Sequence, residues 1–187
     1  TTPAVAYSLG PLSDAVRARL QRWDDERFGE RMWAKDHTLW STEVVPELTD
    51  RLGWLWLPDD MKELAVSLPA FADEIRGDAD HVVLLGMGGS SLAPEVYQST
   101  FGNADGYPKL LVLDSTHPGA VAAVHAQIDP LRTMFLVSSK SGGTLETMSF
   151  FHHFWAAVGE ATDEVGAHFV ALTDPGSSLE VLASERG

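Results

Sequence analysis

Two short segments of this chain gather the residue types that hold an anion. Ser138-Ser139-Lys140-Ser141-Gly142-Gly143-Thr144-Leu145-Glu146-Thr147 packs five hydroxyls, two glycines and one lysine around the start of an expected helix. Gly86-Met87-Gly88-Gly89-Ser90-Ser91-Leu92 adds three glycines and two serines between an expected strand and helix. Hydroxyls and loop amides donate hydrogen bonds, and glycine lets the backbone approach a ligand closely, so phosphate is the natural guest. Amides and dipole at a helix start contribute about 0.3–1 kcal/mol each for an exposed anion. Hydrogen bonds to a charged group, at roughly 1.5–3 kcal/mol apiece, outweigh that, so the hydroxyls set specificity. A helix capped by Ser141 or Thr144 accounts for one or two residues of the first of these segments, not for the cluster. The glycine-rich segment alone reads equally as a plain glycine turn. It also resembles a dinucleotide fingerprint, with Asp114 ending the next strand, although Ser91 stands where the third glycine belongs.

The elements that position these loops are four apolar runs, Val82 to Leu85, Leu110 to Leu113, Met134 to Val137 and Phe169 to Leu172. Each is followed by a helical pattern. Such runs are strands buried on both faces, and their alternation with helices predicts an α/β fold with a parallel sheet. Ligands in such sheets sit beyond the carboxyl ends of the strands, where both segments lie. Upstream, Leu12, Val16, Leu20 and Trp23 share a helix face that Ser13 or Asp14 would cap, and Pro58-Asp59-Asp60 opens another helix. Trp33, Trp40, Trp54 and Trp56 are expected to fill a small core or to dock these helices. The polar break Gly77-Asp78-Ala79-Asp80 divides a helical segment, 1–78, from the α/β part, 79–187. The last helix, about Ser177 to Glu185, has no strand after it, which suggests that a sheet of this type would continue beyond it.

Composition narrows the partners. The 187 residues carry 13 basic and 27 acidic side chains, a net charge of −14. No basic surface is available to gather nucleic acid or anionic lipid, so neither a nucleic-acid nor a membrane partner is expected. Surface charge is screened beyond roughly 8 Å, so an anionic metabolite is not excluded. Cysteine is absent, which removes disulfides and thiolate chemistry and accords with a cytoplasmic setting. Thr1-Thr2-Pro3-Ala4 opens no basic stretch followed by an apolar core, and no uncharged run approaches the length of a membrane span, so the chain reads as soluble. No pair of histidines has metal spacing with a third ligand, so no metal site is expected.

Three motifs in order and spacing resemble the sugar-isomerase domain of glucose-6-phosphate isomerases: Gly86 to Pro94, Ser138 to Thr147, and Thr173-Asp174-Pro175-Gly176-Ser177-Ser178-Leu179. The lead-in, with Trp23-Asp24, Lys35-Asp36 and Trp54-Leu55-Trp56-Leu57, looks like the isomerase portion of bifunctional transaldolase and glucose-6-phosphate isomerase proteins. The resemblance implies a three-layer sandwich with a mainly parallel, flavodoxin-like sheet. It implies that the hydroxyls of Ser90, Ser139, Ser141 and Thr144 and the backbone of Lys140 hold a sugar phosphate, with Gly89 along the sugar. Glu146 would match a carboxylate that orients the ring-opening histidine. No cofactor is implied. Many family members have Thr-Phe-Thr in the middle of the phosphate loop, where this chain has Ser141-Gly142-Gly143.

The implied reaction interconverts glucose 6-phosphate and fructose 6-phosphate, a step of glycolysis and gluconeogenesis. It needs ring opening by a histidine with a lysine, proton transfer by a glutamate, and an arginine for the enediolate. In the family these residues follow the motifs found here, mostly in a second sugar-isomerase domain, so this chain is expected to be truncated and inactive alone. His117, His125, His152 and His153 do not replace them. A homodimer remains open. The alternatives are a non-catalytic phosphosugar-sensing module and a nucleotide-binding Rossmann domain.

Overall fold

The four apolar runs pair side by side. In the computed structural model, which describes residues 7–187, the strands are β1 (His81–Gly86), β2 (Lys109–Leu113), β3 (Thr133–Ser138) and β4 (Phe169–Leu172). All pairings are parallel and the order is β2-β1-β3-β4. The Thr1 to Ala4 opening lies outside the described residues. Chain contacts define two compact units, one reaching to Val66 and one running from Ser67 to Gly187.

The first unit is helical: α1 (Ser13–Asp25), α2 (Phe28–Trp33), α3 (Pro46–Asp50), α4 (Leu57–Asp60) and the beginning of α5 (Lys62–Ile75). Ser13 is not the cap of α1. A 3-10 turn at Gly10–Leu12 runs directly into the helix, so Leu12 takes the cap position and the Ser13 hydroxyl donates back to the Gly10 carbonyl at 2.8 Å. The aromatic contacts of this unit are pairwise, and Trp23, Trp33, Trp40, Trp54 and Trp56 all stay exposed. Trp23 stacks on Phe28 at 5.0 Å and Trp33 meets Trp56 edge-on at 5.2 Å, while the Trp56 indole N–H donates to the Trp33 carbonyl. Among the described residues of this unit only Leu55 is buried.

In the second unit α6 (Leu92–Phe101) connects β1 to β2, α7 (Pro118–His125) connects β2 to β3, α8 (Leu145–Gly159) connects β3 to β4, and α9 (Ser178–Arg186) follows β4. Right-handed crossovers in this strand order place α6 on one face of the sheet and α7 and α8 on the other. The latter face holds the core: Val83, Leu85, Phe135 and Val137 of the strands meet Val124 of α7, Phe150 and Phe154 of α8 and Leu179 of α9. Phe135 is fully buried, with its ring 4.9 Å from both Phe154 and Phe169. Coverage of the two faces is unequal. Along β3 buried and half-buried residues alternate, and Met134 and Leu136 fall on the less covered side.

The amino-terminal edge of the sheet is pinned by Asp80 and Arg132, which precede β1 and β3. The Arg132 guanidinium donates to both carboxylate oxygens of Asp80, at 2.7 and 2.8 Å. The Asp80 amide donates to the Arg132 carbonyl, and the Asp80 carbonyl accepts from the Lys109 amide. The guanidinium holds the Asp80 carboxyl below the usual aspartate range.

Candidate functional site

Gly86 pairs with Ser138 and Ser138 with Leu172 in register, so the loops after β1, β3 and β4 leave the sheet abreast. The chain steps from β1 outward to β2 and then crosses to β3 on the other side of β1. The gap between β1 and β3 is thus the topological switch point, where parallel α/β sheets bind ligands. Both glycine- and hydroxyl-rich segments flank it.

The loop after β1 folds back tightly on its own strand. A Cβ at Gly86 would sit 3.0 Å from the Ser90 carbonyl oxygen and 3.3 Å from that of Ser138, both backbone atoms. Gly88–Ser90 forms a 3-10 turn in which the Ser90 amide donates to the Met87 carbonyl. Ser91 is buried, and its hydroxyl donates to the Gly88 carbonyl at 3.1 Å. The two serines therefore divide the work: Ser91 closes the turn from inside, while Ser90 is half-buried and Gly89 beside it is exposed to solvent.

The loop after β3 is held by its carbonyls and leaves its amides open. Gly142 donates to the Ser139 carbonyl at 3.1 Å, closing a turn. The Lys140 carbonyl accepts from the Asp174 amide at 3.2 Å and from the Thr173 hydroxyl at 3.4 Å. The amides of Lys140, Ser141, Gly143 and Thr144 make no hydrogen bond within the described residues. The Ser139 and Thr144 hydroxyls lie 3.0 Å apart. Thr144 occupies the cap position of α8 without a side-chain capping bond, because its hydroxyl is turned to Ser139. Glu146 is half-buried in the first turn of α8, and Thr147 beside it is fully buried with a hydroxyl that finds no partner. The Lys140 ammonium stands 3.8 Å from the Asp174 carboxylate, with both side chains more than half exposed, so that pair contributes little.

Gly142 explains why this loop can be small. Its φ is +75°, and a Cβ there would lie 2.7 Å from the Leu179 amide nitrogen and 2.9 Å from Ser177 Cβ and Oγ. The turn is seated directly on the start of α9. The Ser177 hydroxyl caps that helix, accepting from the Glu180 amide at 3.1 Å, and lies 2.7 Å from the Thr173 hydroxyl. Sequence reasoning identified Thr173 to Leu179 as a motif but gave it no part in the site. Its hydroxyl spacing, Thr173 to Ser177, was the available signal.

The histidines lie apart from these loops. His117 caps α7 by accepting from the Gly119 amide at 3.1 Å. His125 Nδ1 and His153 Nε2 are 3.0 Å apart at an open groove of ≈ 550 Å³ between α7 and α8. Burial, with His125 adding to it, pushes the His153 pKa down. The groove is mainly apolar, with Val121, Ala122 and Phe150 in its wall, and lacks the converging amides of the loops. Among the described residues no group of three or more His, Asp or Glu side chains could hold a metal ion, and no helix is long and apolar enough to cross a membrane.

Strand order and loop placement together define a doubly wound parallel α/β domain with donor-rich loops at its switch point. A family model described as phosphoglucose isomerase matches residues 56–182, and the chain belongs to that family. A glucose-6-phosphate isomerase from Carboxydothermus hydrogenoformans is 33% identical over 150 residues, covering 73% of this chain and 32% of that protein. One from Thermosynechococcus vestitus is 29% identical, covering 100% of this chain and 36% of the relative. Among solved structures, a hypothetical protein from Thermus thermophilus superposes with a TM-score of 0.70 at 27% identity, over 96% of this chain and 40% of that one. A glucose-6-phosphate isomerase from Chlamydia trachomatis gives 0.61 at 27% identity, over 79% and 28%. The chain spans about a third of the length of the curated relatives it matches.

Proposed function

We propose that this chain is the sugar-phosphate-binding part of an aldose–ketose isomerase that interconverts glucose 6-phosphate and fructose 6-phosphate. The observation that carries the reading is the set of unpaired amides at Lys140, Ser141, Gly143 and Thr144, in a loop whose Ser139 and Lys140 carbonyls are already bonded. Consecutive free amides around a left-handed residue form an anion-binding concavity, and the hydroxyls of Ser139, Ser141 and Thr144 share that loop. In this reading those hydroxyls, Ser90 and the Lys140 backbone hold the phosphate, and Gly89 runs along the sugar. Glu146 orients a ring-opening histidine supplied from outside this chain. The groups for ring opening, proton transfer and enediolate stabilisation belong to a second sugar-isomerase domain, and the assembled protein works in the cytoplasm.

The purified 187-residue chain is therefore expected to bind glucose 6-phosphate weakly, to ignore glucose and to show no turnover above buffer. Calorimetric titration with both sugars, beside a coupled assay for fructose 6-phosphate, checks this. Failure to bind glucose 6-phosphate overturns the reading. Robust turnover overturns the placement of the catalytic groups outside the chain.

A further inference from the structure

The loop after β4 has no ligand role in the reading above, yet it holds the candidate phosphate loop from behind. The Glu180 amide donates to Ser177 Oγ at 3.1 Å, which leaves the Ser177 proton free for Thr173 Oγ1, 2.7 Å away. The Thr173 proton then points to the Lys140 carbonyl at 3.4 Å, where the Asp174 amide also donates at 3.2 Å. The described residues contain no cis peptide. In a trans peptide the carbonyl and the following N–H point in opposite directions. A Lys140 carbonyl drawn toward the β4–α9 loop therefore turns the Ser141 N–H away from it, and that N–H has no partner within the described residues. Gly142, seated on Ser177 and Leu179, fixes the next peptide from the same side.

We propose that Thr173 and Ser177 are positioning residues: through the Lys140 carbonyl they set the direction of the Ser141 N–H, which donates to the phosphate. This rests on the sugar-phosphate reading for its ligand, but the geometry it asserts exists without one. Thr173→Val removes the hydroxyl at nearly constant volume, and Thr173→Ser restores it. With glucose 6-phosphate as the probe, Thr173→Val weakens binding by about three- to tenfold, the loss of one ordinary hydrogen bond. Thr173→Ser returns to within about twofold of the unaltered chain, and the melting temperatures of all three stay close. Ser177→Ala, compared with Ser177→Thr, repeats the test should Thr173→Val fold poorly.

Amide hydrogen exchange without ligand separates the two claims. Faster exchange at Gly142 and Asp174 in Thr173→Val, restored in Thr173→Ser and unaccompanied by change at Val83, supports the positioning role even if glucose 6-phosphate never binds. In that event only the functional reading fails. Unchanged exchange at both amides overturns the positioning role, as does equal affinity in Thr173→Val where the unaltered chain binds glucose 6-phosphate.

Discussion

Replacing Gly142 by alanine separates loop geometry from hydroxyl chemistry, because it removes no donor. At φ +75° an L-residue carries a penalty of about 1–2 kcal/mol. The added Cβ would also lie 2.7 Å from the Leu179 amide nitrogen and 2.9 Å from Ser177 Cβ, contacts that no flexible side-chain tip can relieve. Overpacking of that kind costs about 1–3 kcal/mol. The strain thus amounts to roughly 2–5 kcal/mol if the loop stays in place. A surface turn moves at less cost, so the loop lifts off α9 and the free amides from Lys140 to Thr144 cease to converge. Losing two hydrogen bonds to a dianion, at about 1.5–3 kcal/mol each, lowers affinity for glucose 6-phosphate by more than about a hundredfold. Gly143→Ala is the control, since a Cβ there meets nothing nearer than Ser178 Oγ at 4.0 Å. Calorimetric titration with parallel thermal unfolding is the assay. Equal affinity in Gly142→Ala and the unaltered chain, or a larger loss in Gly143→Ala, would refute the reasoning.

Ser139→Ala removes a buried hydroxyl paired with Thr144, and should weaken glucose 6-phosphate binding by about tenfold in the same titration. Phe135→Ala empties the space between Phe154 and Phe169 and should destabilise the chain by about 3–5 kcal/mol in urea denaturation. The Asp80 carboxyl has its folded-state pKa lowered by Arg132. Its contribution to stability is therefore present above the ordinary aspartate range and is lost as pH falls through the folded-state value. Asp80→Asn should lower the urea midpoint near neutral pH, with the difference from the unaltered chain closing as pH falls below the ordinary aspartate range.

The strands were readable because a buried parallel strand is an uninterrupted apolar run. Their ends were less so: β1 takes in His81 and Gly86, and β3 takes in Thr133 and Ser138, polar or small residues that pair through backbone alone. The start of α1 was misread, while Thr144 does stand at the start of α8 but without capping it through its side chain. Ser13 bonds backward to Gly10, and Thr144 turns to Ser139. The His125–His153 contact joins residues far apart in sequence on neighbouring helices, which no local pattern encodes. In the candidate site the hydroxyls were visible as letters, whereas the open amides were not. Amide direction depends on the φ of Gly142 and on which carbonyls the Thr173 to Ser177 loop engages, and those are tertiary facts.

The proposal that the loop after β3 holds a sugar phosphate is tested most directly by following backbone amide resonances of the 187-residue chain during titration with glucose 6-phosphate. The account predicts that Lys140, Ser141, Gly143 and Thr144 shift together downfield, with Ser90 moving alongside, and that inorganic phosphate reproduces the main shifts while glucose does not. Shifts confined to the groove between His125 and His153, or none in the loop at saturating sugar phosphate, would contradict it.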